Sequence, residues 1–148
     1  MVVRRIKGFE QDGFTELIQQ FADEASEPTD IDFCKAKWTA LEEAGTAHSY
    51  GAFDGDNKLI GIVGFIVSEG FNVPGAYAFE SFWYVQKDSR KTTAGGRLFK
   101  ALEDAAAELG CIGIYFAHYD HLESKHIEKF ITSRGYKIKE HIYRKVLP

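Results

Sequence analysis

The stretch from Tyr77 to Ala117 constrains this chain more than any other. "YAFESFWYV" (Tyr77–Val85) is an aromatic-rich run that reads as a strand, and "CIGIYFA" (Cys111–Ala117) reads as another. Between them a long helix is expected from about Ala94 to Leu109. Leu98, Leu102, Ala105 and Leu109 form its inner stripe, and Gly110 stops it. Two strands joined by a helical crossover favour a parallel pair. The flanking sequence extends this unit. Val2–Lys7 reads as a strand, and Asp12–Ala25 and Asp30–Ala44 as helices. "AHSYGAF" and "KLIGIVGFIV" read as a hairpin around "DGDN", "HLESKHIEKFITSRGY" as a helix closed by Gly135, and "KIKEHIYRKVL" as a last strand. The expected order is β-α-α-β-β-β-α-β-α-β, an α/β (mixed α+β) fold with one mixed central sheet and helices on both faces.

At 148 residues the chain fits one domain, 1–148. A net charge of −4 argues against non-specific nucleic-acid binding, which needs a basic surface to displace counterions. The start "MVVRRIKGF" is too short and too charged for a signal peptide, and no apolar run reaches membrane length. Cys34 and Cys111 form no disulfide framework or zinc pattern, so reduced thiols and a cytoplasmic location are expected.

The entrance to the long helix is unusual. "SRKTTAGGR" places Gly95 and Gly96 where a helix should begin, although glycine costs about 1 kcal/mol there against alanine. Arg90, Lys91 and Arg97 surround them. Unpaired amides and the positive end of a helix dipole attract an oxyanion, and missing side chains let it approach the backbone. A helix that merely starts in a glycine-rich turn is an equal reading of these residues alone. No GxxxxGK[ST] and no GxGxxG with an acidic partner occur, which removes the P-loop and dinucleotide folds.

Val85, Arg90, Thr93, Gly95 and Leu98 match the spacing V-x4-[QR]-x2-G-x-[GA]-x2-L, except that Thr93 stands at the first glycine. This segment resembles the acetyl-CoA motif of the GNAT N-acetyltransferases, and the element order is similar to that family over roughly the whole chain. In style it looks most like the small acetyltransferases common in bacteriophages and bacteria. The resemblance implies an acetyl-CoA-dependent N-acetyltransferase that moves an acetyl group to a primary amine by direct attack. It implies that the pantetheine arm pairs with the backbone of Trp83, Tyr84 and Val85. The pyrophosphate would lie on Arg90, Lys91, Thr92, Thr93, Ala94, Gly95 and Gly96, with Ser124 near the pantetheine. A threonine disfavours a positive-φ nest at position 93, though its hydroxyl could meet a phosphate oxygen or cap the helix. The family often places an acidic tyrosine four residues before the closing Gly-aromatic pair. Here that position is Ile131.

The chemistry needs a base, because an amine must be neutral to attack. Glu80 interrupts an otherwise apolar strand beside the expected thioester, and burial there would raise its pKa. An outward-facing glutamate on the strand is nearly as good a reading. His118 and Tyr119 follow the second strand and are candidate acids or bases near the same cleft, though an ordinary polar loop is the simpler reading of each. His118, Asp120, His121 and His126 match no standard zinc spacing, so no metal is expected. Asp23, Glu24, Glu27, Asp30 and Asp32 could draw a cationic amine, but read more simply as solvated helix ends. The acceptor is a small molecule or a protein. A non-catalytic CoA-binding sensor or interaction module is the alternative, and a host-binding domain that only keeps the fold is a third. Neither nucleic acid nor membrane is an expected partner, and homodimers are common in folds of this kind.

Overall fold

The computed structural model of the chain describes every residue except Asp120 and Glu123, and only the backbone of Ser124. It forms two compact units, Met1–Ala117 and His118–Pro148. The first holds a five-stranded sheet in the order β1-β2-β3-β4-β5. Its strands are β1 (Val2–Ile6), β2 (Ala47–Phe53), β3 (Leu59–Glu69), β4 (Ala76–Val85) and β5 (Gly113–Tyr115). Neighbours from β1 to β4 run antiparallel, and β5 lies parallel to β4, as the crossover predicts. Helices α1 (Phe14–Ala25), α2 (Ile31–Glu43) and α3 (Ala94–Glu108) belong to the same unit. The second unit contains α4 (Ser124–Ser133).

Two apolar clusters follow from the alternation of side chains along the strands. Phe14, Leu17 and Ile18 of α1 and Trp38 of α2 pack with Phe53, Ile62, Phe82 and Tyr84. Leu98, Leu102, Ala105 and Ala106 of α3 pack with Ala52, Val63, Phe65, Ala78 and Val85. In α1, side chains three and four apart share a helix face, so the buried positions are the ones its spacing predicts. Asp30 caps α2, its carboxylate accepting the Phe33 amide at 3.0 Å. No described helix is long and apolar enough to cross a membrane.

Several expectations need correction. Leu109 lies beyond the last turn of α3 and is exposed, so the inner stripe ends at Ala106. In α2 Trp38 is the buried side chain, while Phe33 is exposed. The strand expected over Cys111–Ala117 shortens to Gly113–Tyr115. The last strand does not form: residues 136–148 adopt no helix or strand. Their pattern suits a strand, but a strand exists only against a partner edge.

One irregularity sets the faces of β4. Gly64 of β3 lies opposite Phe82, yet the next residue, Phe65, lies opposite Glu80. Ser81 is thus an extra residue on β4, a β-bulge that swaps the faces beyond it. Ala78 points to the α3 cluster, while Phe82 and Tyr84 point to the α1–α2 cluster. The close partner position must be glycine, because a Cβ on Gly64 would overlap the Phe82 ring. Gly64→Ala is therefore expected to destabilise the protein by about 1–3 kcal/mol through overpacking, read as a lower urea midpoint. An unchanged midpoint would show that the ring moves aside freely.

Candidate active site

β4 and β5 diverge almost as soon as they meet. Their pairing covers Tyr77 with Gly113, Ala78 with Ile114 and Phe79 with Tyr115, and then stops. From Glu80 to Val85, that edge of β4 has no strand beside it among the described residues. The chain leaving β5 stays close. The Phe116 ring lies 5.4 Å from Trp83 and 5.2 Å from Phe99, forming an aromatic floor under the gap. The Ala117 amide donates a long hydrogen bond of 3.4 Å to Glu80 Oε2.

Glu80 therefore sits at the fork, on β4 just before the bulge. The residue is half-buried by area, but enough protein surrounds its carboxyl for desolvation to push it up to about 8. The Ala117 amide pulls the other way and does not offset this. Partial exposure leaves solvent a route to the carboxyl. A carboxyl poised near neutral pH at a strand divergence can accept a proton from a bound group. Tyr119 lies in the second unit, with its ring 5.8 Å from that of His121. The side chain of Ser124 and all of Asp120 lie outside the described residues. Ile131 falls within α4. Among the described residues no His, Cys, Asp and Glu group could hold a metal ion.

The glycine turn has the geometry of an anion cradle, though not by the expected route. Thr93 has φ −81°, an ordinary value, so no left-handed nest exists there and a threonine costs nothing. Its hydroxyl makes no capping bond either. Thr92 does that work: its Oγ1 donates to the Ser89 carbonyl at 2.6 Å and accepts the Ala94 amide at 3.2 Å. Arg97 N donates to Thr93 O at 3.0 Å. The amides of Gly95 and Gly96 then remain without a protein acceptor among the described residues. Neither glycine has a positive φ. A Cβ on Gly95 would make only ordinary contact with Trp83, and one on Gly96 would meet nothing within 4 Å. The fold does not require these glycines, and their amides stay accessible to an approaching group.

Arg90, expected on the pyrophosphate, has protein partners in this structure. Its Nη2 donates to both carboxylate oxygens of Glu24, at 2.8 and 2.7 Å, and its Nε donates to the Val85 carbonyl at 2.9 Å. Tyr84 OH donates to the same carboxylate at 2.8 Å. Burial alone would raise the Glu24 carboxyl, but the hydrogen bonds from Arg90 and Tyr84 and the Arg90 charge bring it below its ordinary value. Tyr84 moves the opposite way, pushed up to about 12 by burial first and by its Glu24 partner second. In this structure Arg90 thus forms a strap between α1 and the end of β4. Lys91 is exposed beside the turn and keeps that role open. Trp83 also ties the elements together, its Nε1 donating to the Gly95 carbonyl at 3.0 Å. Sequence spacing could not reveal Glu24, which stands 66 residues from Arg90. Of the acids considered as an amine attractant, Asp23, Glu24 and Asp30 accept hydrogen bonds from Gln19, Arg90 and the Phe33 amide.

The comparisons with known proteins agree with this architecture. A family model described as the acetyltransferase (GNAT) family matches residues 12–135. No curated protein matches the sequence. Among solved structures, one described as a probable acetyltransferase superposes with a TM-score of 0.79 at 13% identity, covering 100% of this chain and 97% of that one. Glucosamine-6-phosphate N-acetyltransferase from Arabidopsis thaliana gives 0.76 at 15% identity, covering 99% and 98%. An aminoglycoside acetyltransferase from an uncultured soil metagenomic sample gives 0.73 at 15% identity, covering 99% and 97%. At these identities the likeness is one of fold.

The two threonines can be told apart by stability. Thr92→Ala is expected to cost about 1 kcal/mol, the usual loss for a helix cap. Thr93→Ala is expected to be close to neutral. Thermal melts of both variants check this, and equal losses would contradict the assignment of the cap. Glu80 gives a pH signature. A carboxyl raised by folding favours the native state below its unfolded pKa, and that advantage fades as pH climbs toward about 8. Glu80→Gln should therefore flatten the decline of stability between about pH 4.5 and 8.

Proposed function

Since the chain belongs to the GNAT acetyltransferase family, we propose that it transfers the acetyl group of acetyl-CoA to a primary amine by direct attack. Residues 1–148 are read as one acetyltransferase domain working in the cytoplasm. The observation that carries the catalytic part is Glu80, a carboxyl pushed up to about 8 at the fork of β4 and β5. The amine approaches through this gap. Glu80, directly or through a water, takes its proton as nitrogen closes on the thioester carbonyl. Acetyl-CoA supplies the activated acetyl group, and the C–S bond breaks as the C–N bond forms.

The residues present suit that co-substrate. The unpaired edge of β4 at Trp83, Tyr84 and Val85 can take the pantetheine amides as an added strand. The Val85 carbonyl is already held by Arg90 and the Tyr84 backbone turns to Ile62 of β3, so Trp83 carries most of that pairing. The pyrophosphate lies on Lys91, Thr92, Thr93 and Ala94 and on the bare amides of Gly95 and Gly96. Arg90 acts by shaping the loop. Tyr119 is the candidate donor to the departing thiolate and Ser124 a candidate pantetheine contact. With Ile131 at the family's tyrosine position, an unassisted thiolate is also chemically tolerable, since a free thiol has a pKa near 8.5. The same Ile131 favours the second reading, a CoA-binding module without turnover. Amino sugars and aminoglycosides, named for two structural relatives, are sensible first acceptors to try, beside lysine side chains and polyamines.

Acetyl-CoA should raise the melting temperature, because a ligand of the native state stabilises it. No binding at millimolar acetyl-CoA would remove the cofactor assignment. Release of CoA thiol across an amine panel separates an enzyme from a silent binder. Activity should rise with pH through about 8 as Glu80 loses its proton, and Glu80→Gln should cost about a hundredfold or more in kcat. Gly96→Ala gives a test of opposite signs. It should raise stability by up to about 1 kcal/mol while weakening acetyl-CoA binding. A variant that is stabilised and binds as tightly as the parent would refute the cradle.

A further inference from the structure

The last rung of the β4–β5 pair is aromatic on both strands. Phe79 lies opposite Tyr115, and Tyr77 lies opposite Gly113. The Phe79 and Tyr115 rings are nearly parallel, 6° apart with centroids at 5.1 Å. Tyr77 meets Tyr115 edge-on at 5.2 Å and tilts toward Phe79 at 6.3 Å. Two glycines make room for this arrangement: a Cβ on Gly70 or Gly113 would come within 2.8 or 2.9 Å of the Tyr77 ring. The rings therefore form one fixed layer rather than separate surface side chains.

The layer lies on the face of the α1–α2 cluster, because Phe79 stands opposite Ile66, which packs against that cluster. The aromatic contacts from α1 and α2 stop short of it. Phe14 and Trp38 meet Phe82, and Phe21 meets Tyr84. Phe79 is left 36% exposed. The surroundings carry no charge: residues 70–79 and 111–117 contain no Asp, Glu, Lys, Arg or His. The next carboxyl along β4, Glu80, is pushed up to about 8 by burial and is mostly protonated at neutral pH. This chemistry discriminates between acceptors. A polyamine or aminoglycoside needs carboxylates to hold its ammonium groups. A sugar needs a partner for each hydroxyl taken out of water. A flat aromatic body needs neither, and gains stacked and edge-on contacts with rings already in place. Position sets the rest. β5 leaves β4 at this rung, and Glu80 is the next residue, about 3.8 Å along the backbone. An amine two or three carbons from its ring spans that step into the gap.

We propose that the layer of Tyr77, Phe79 and Tyr115 is the acceptor subsite and that it takes an arylalkylamine, a primary amine two or three carbons from a flat aromatic ring. The inference rests on the acetyltransferase reading of the fork. In the transfer the amine nitrogen bonds the acetyl carbon, the C–S electron pair leaves on the CoA sulfur, and the amine proton passes to Glu80.

Calorimetry of 2-phenylethylamine with the CoA-saturated protein tests the subsite apart from turnover. Ring faces also attract ammonium groups, so charge and aromaticity are separated by two controls. One is 2-cyclohexylethylamine, with the same charge on a saturated ring, and the other is spermidine. Binding of 2-phenylethylamine is expected, several-fold tighter than either control. Phe79→Leu and Tyr115→Leu should each weaken it by about tenfold. Both should keep the parent's melting shift with acetyl-CoA, which shows that they remain folded. Absence of binding overturns the proposal. So does equal binding of either control, which the parent protein alone decides, or binding indifferent to both leucine variants. Release of CoA thiol over the same amines and an amino sugar tests the underlying reading, and 2-phenylethylamine is expected to be preferred. Acetylation of only spermidine or the amino sugar overturns the arylalkylamine assignment and leaves the transferase standing. Ring-dependent binding with no amine acetylated supports the subsite and overturns the transferase instead.

Discussion

The extra residue at Ser81 is the constraint on which the site depends. Before it, β4 presents Ala78 to the α3 cluster; after it, the same strand presents Phe82 and Tyr84 to the α1–α2 cluster. A regular strand would have to send one of these sets to the wrong core. The bulge lets both cores close, and it leaves Glu80 at the point where β4 changes course. There the parallel partner also leaves, since pairing with β5 stops at Phe79. A strand that is buried on both faces and paired on only one edge is costly to maintain unless something else takes its free polar groups. In this chain the Val85 carbonyl is taken by Arg90, and the rest of that edge is open to an extended ligand.

A second tie holds the site's walls in place. Arg90 links the loop after β4 to Glu24 of α1 through both carboxylate oxygens, and Tyr84 adds its hydroxyl to the same group. Exposed pairs of this kind contribute little on their own, but the side chains here are partly covered and Arg90 Nη2 reaches both carboxylate oxygens. Trp83 adds a tie to the first turn of α3. The end of β4 is thus connected to a helix on each face of the sheet. This holds the walls beside the open edge of β4 in place.

Much of the fold was legible because its signals are local. The turn at "DGDN" and the stripe of Leu98, Leu102 and Ala105 each identify their element without reference to the rest. The parallel β4–β5 pair follows from connectivity. What sequence could not supply depends on contacts between distant residues. The partner of Arg90 is such a case. So is the identity of the capping threonine, which depends on whether the Thr92 or the Thr93 hydroxyl faces the Ala94 amide. Residues 136–148 show the limit most plainly: alternation marks a segment as able to form a strand, but pairing needs an edge that alternation does not name. Residue type and setting single out Glu80 in the sequence, and the bulge decides where it sits.

The bond from Trp83 to the Gly95 carbonyl has an optical consequence. The protein has two tryptophans, and they occupy different electrical environments. Trp38 is buried and donates to Ser49 Oγ at 2.8 Å, inside the α1–α2 core. Trp83 is half-buried, with its indole dipole aimed at the backbone of the glycine turn. Negative charge gathered on that turn would act on one indole and leave the other nearly untouched. The chain therefore contains a built-in emission probe at its glycine turn and an internal reference in its core, with no dye or label required.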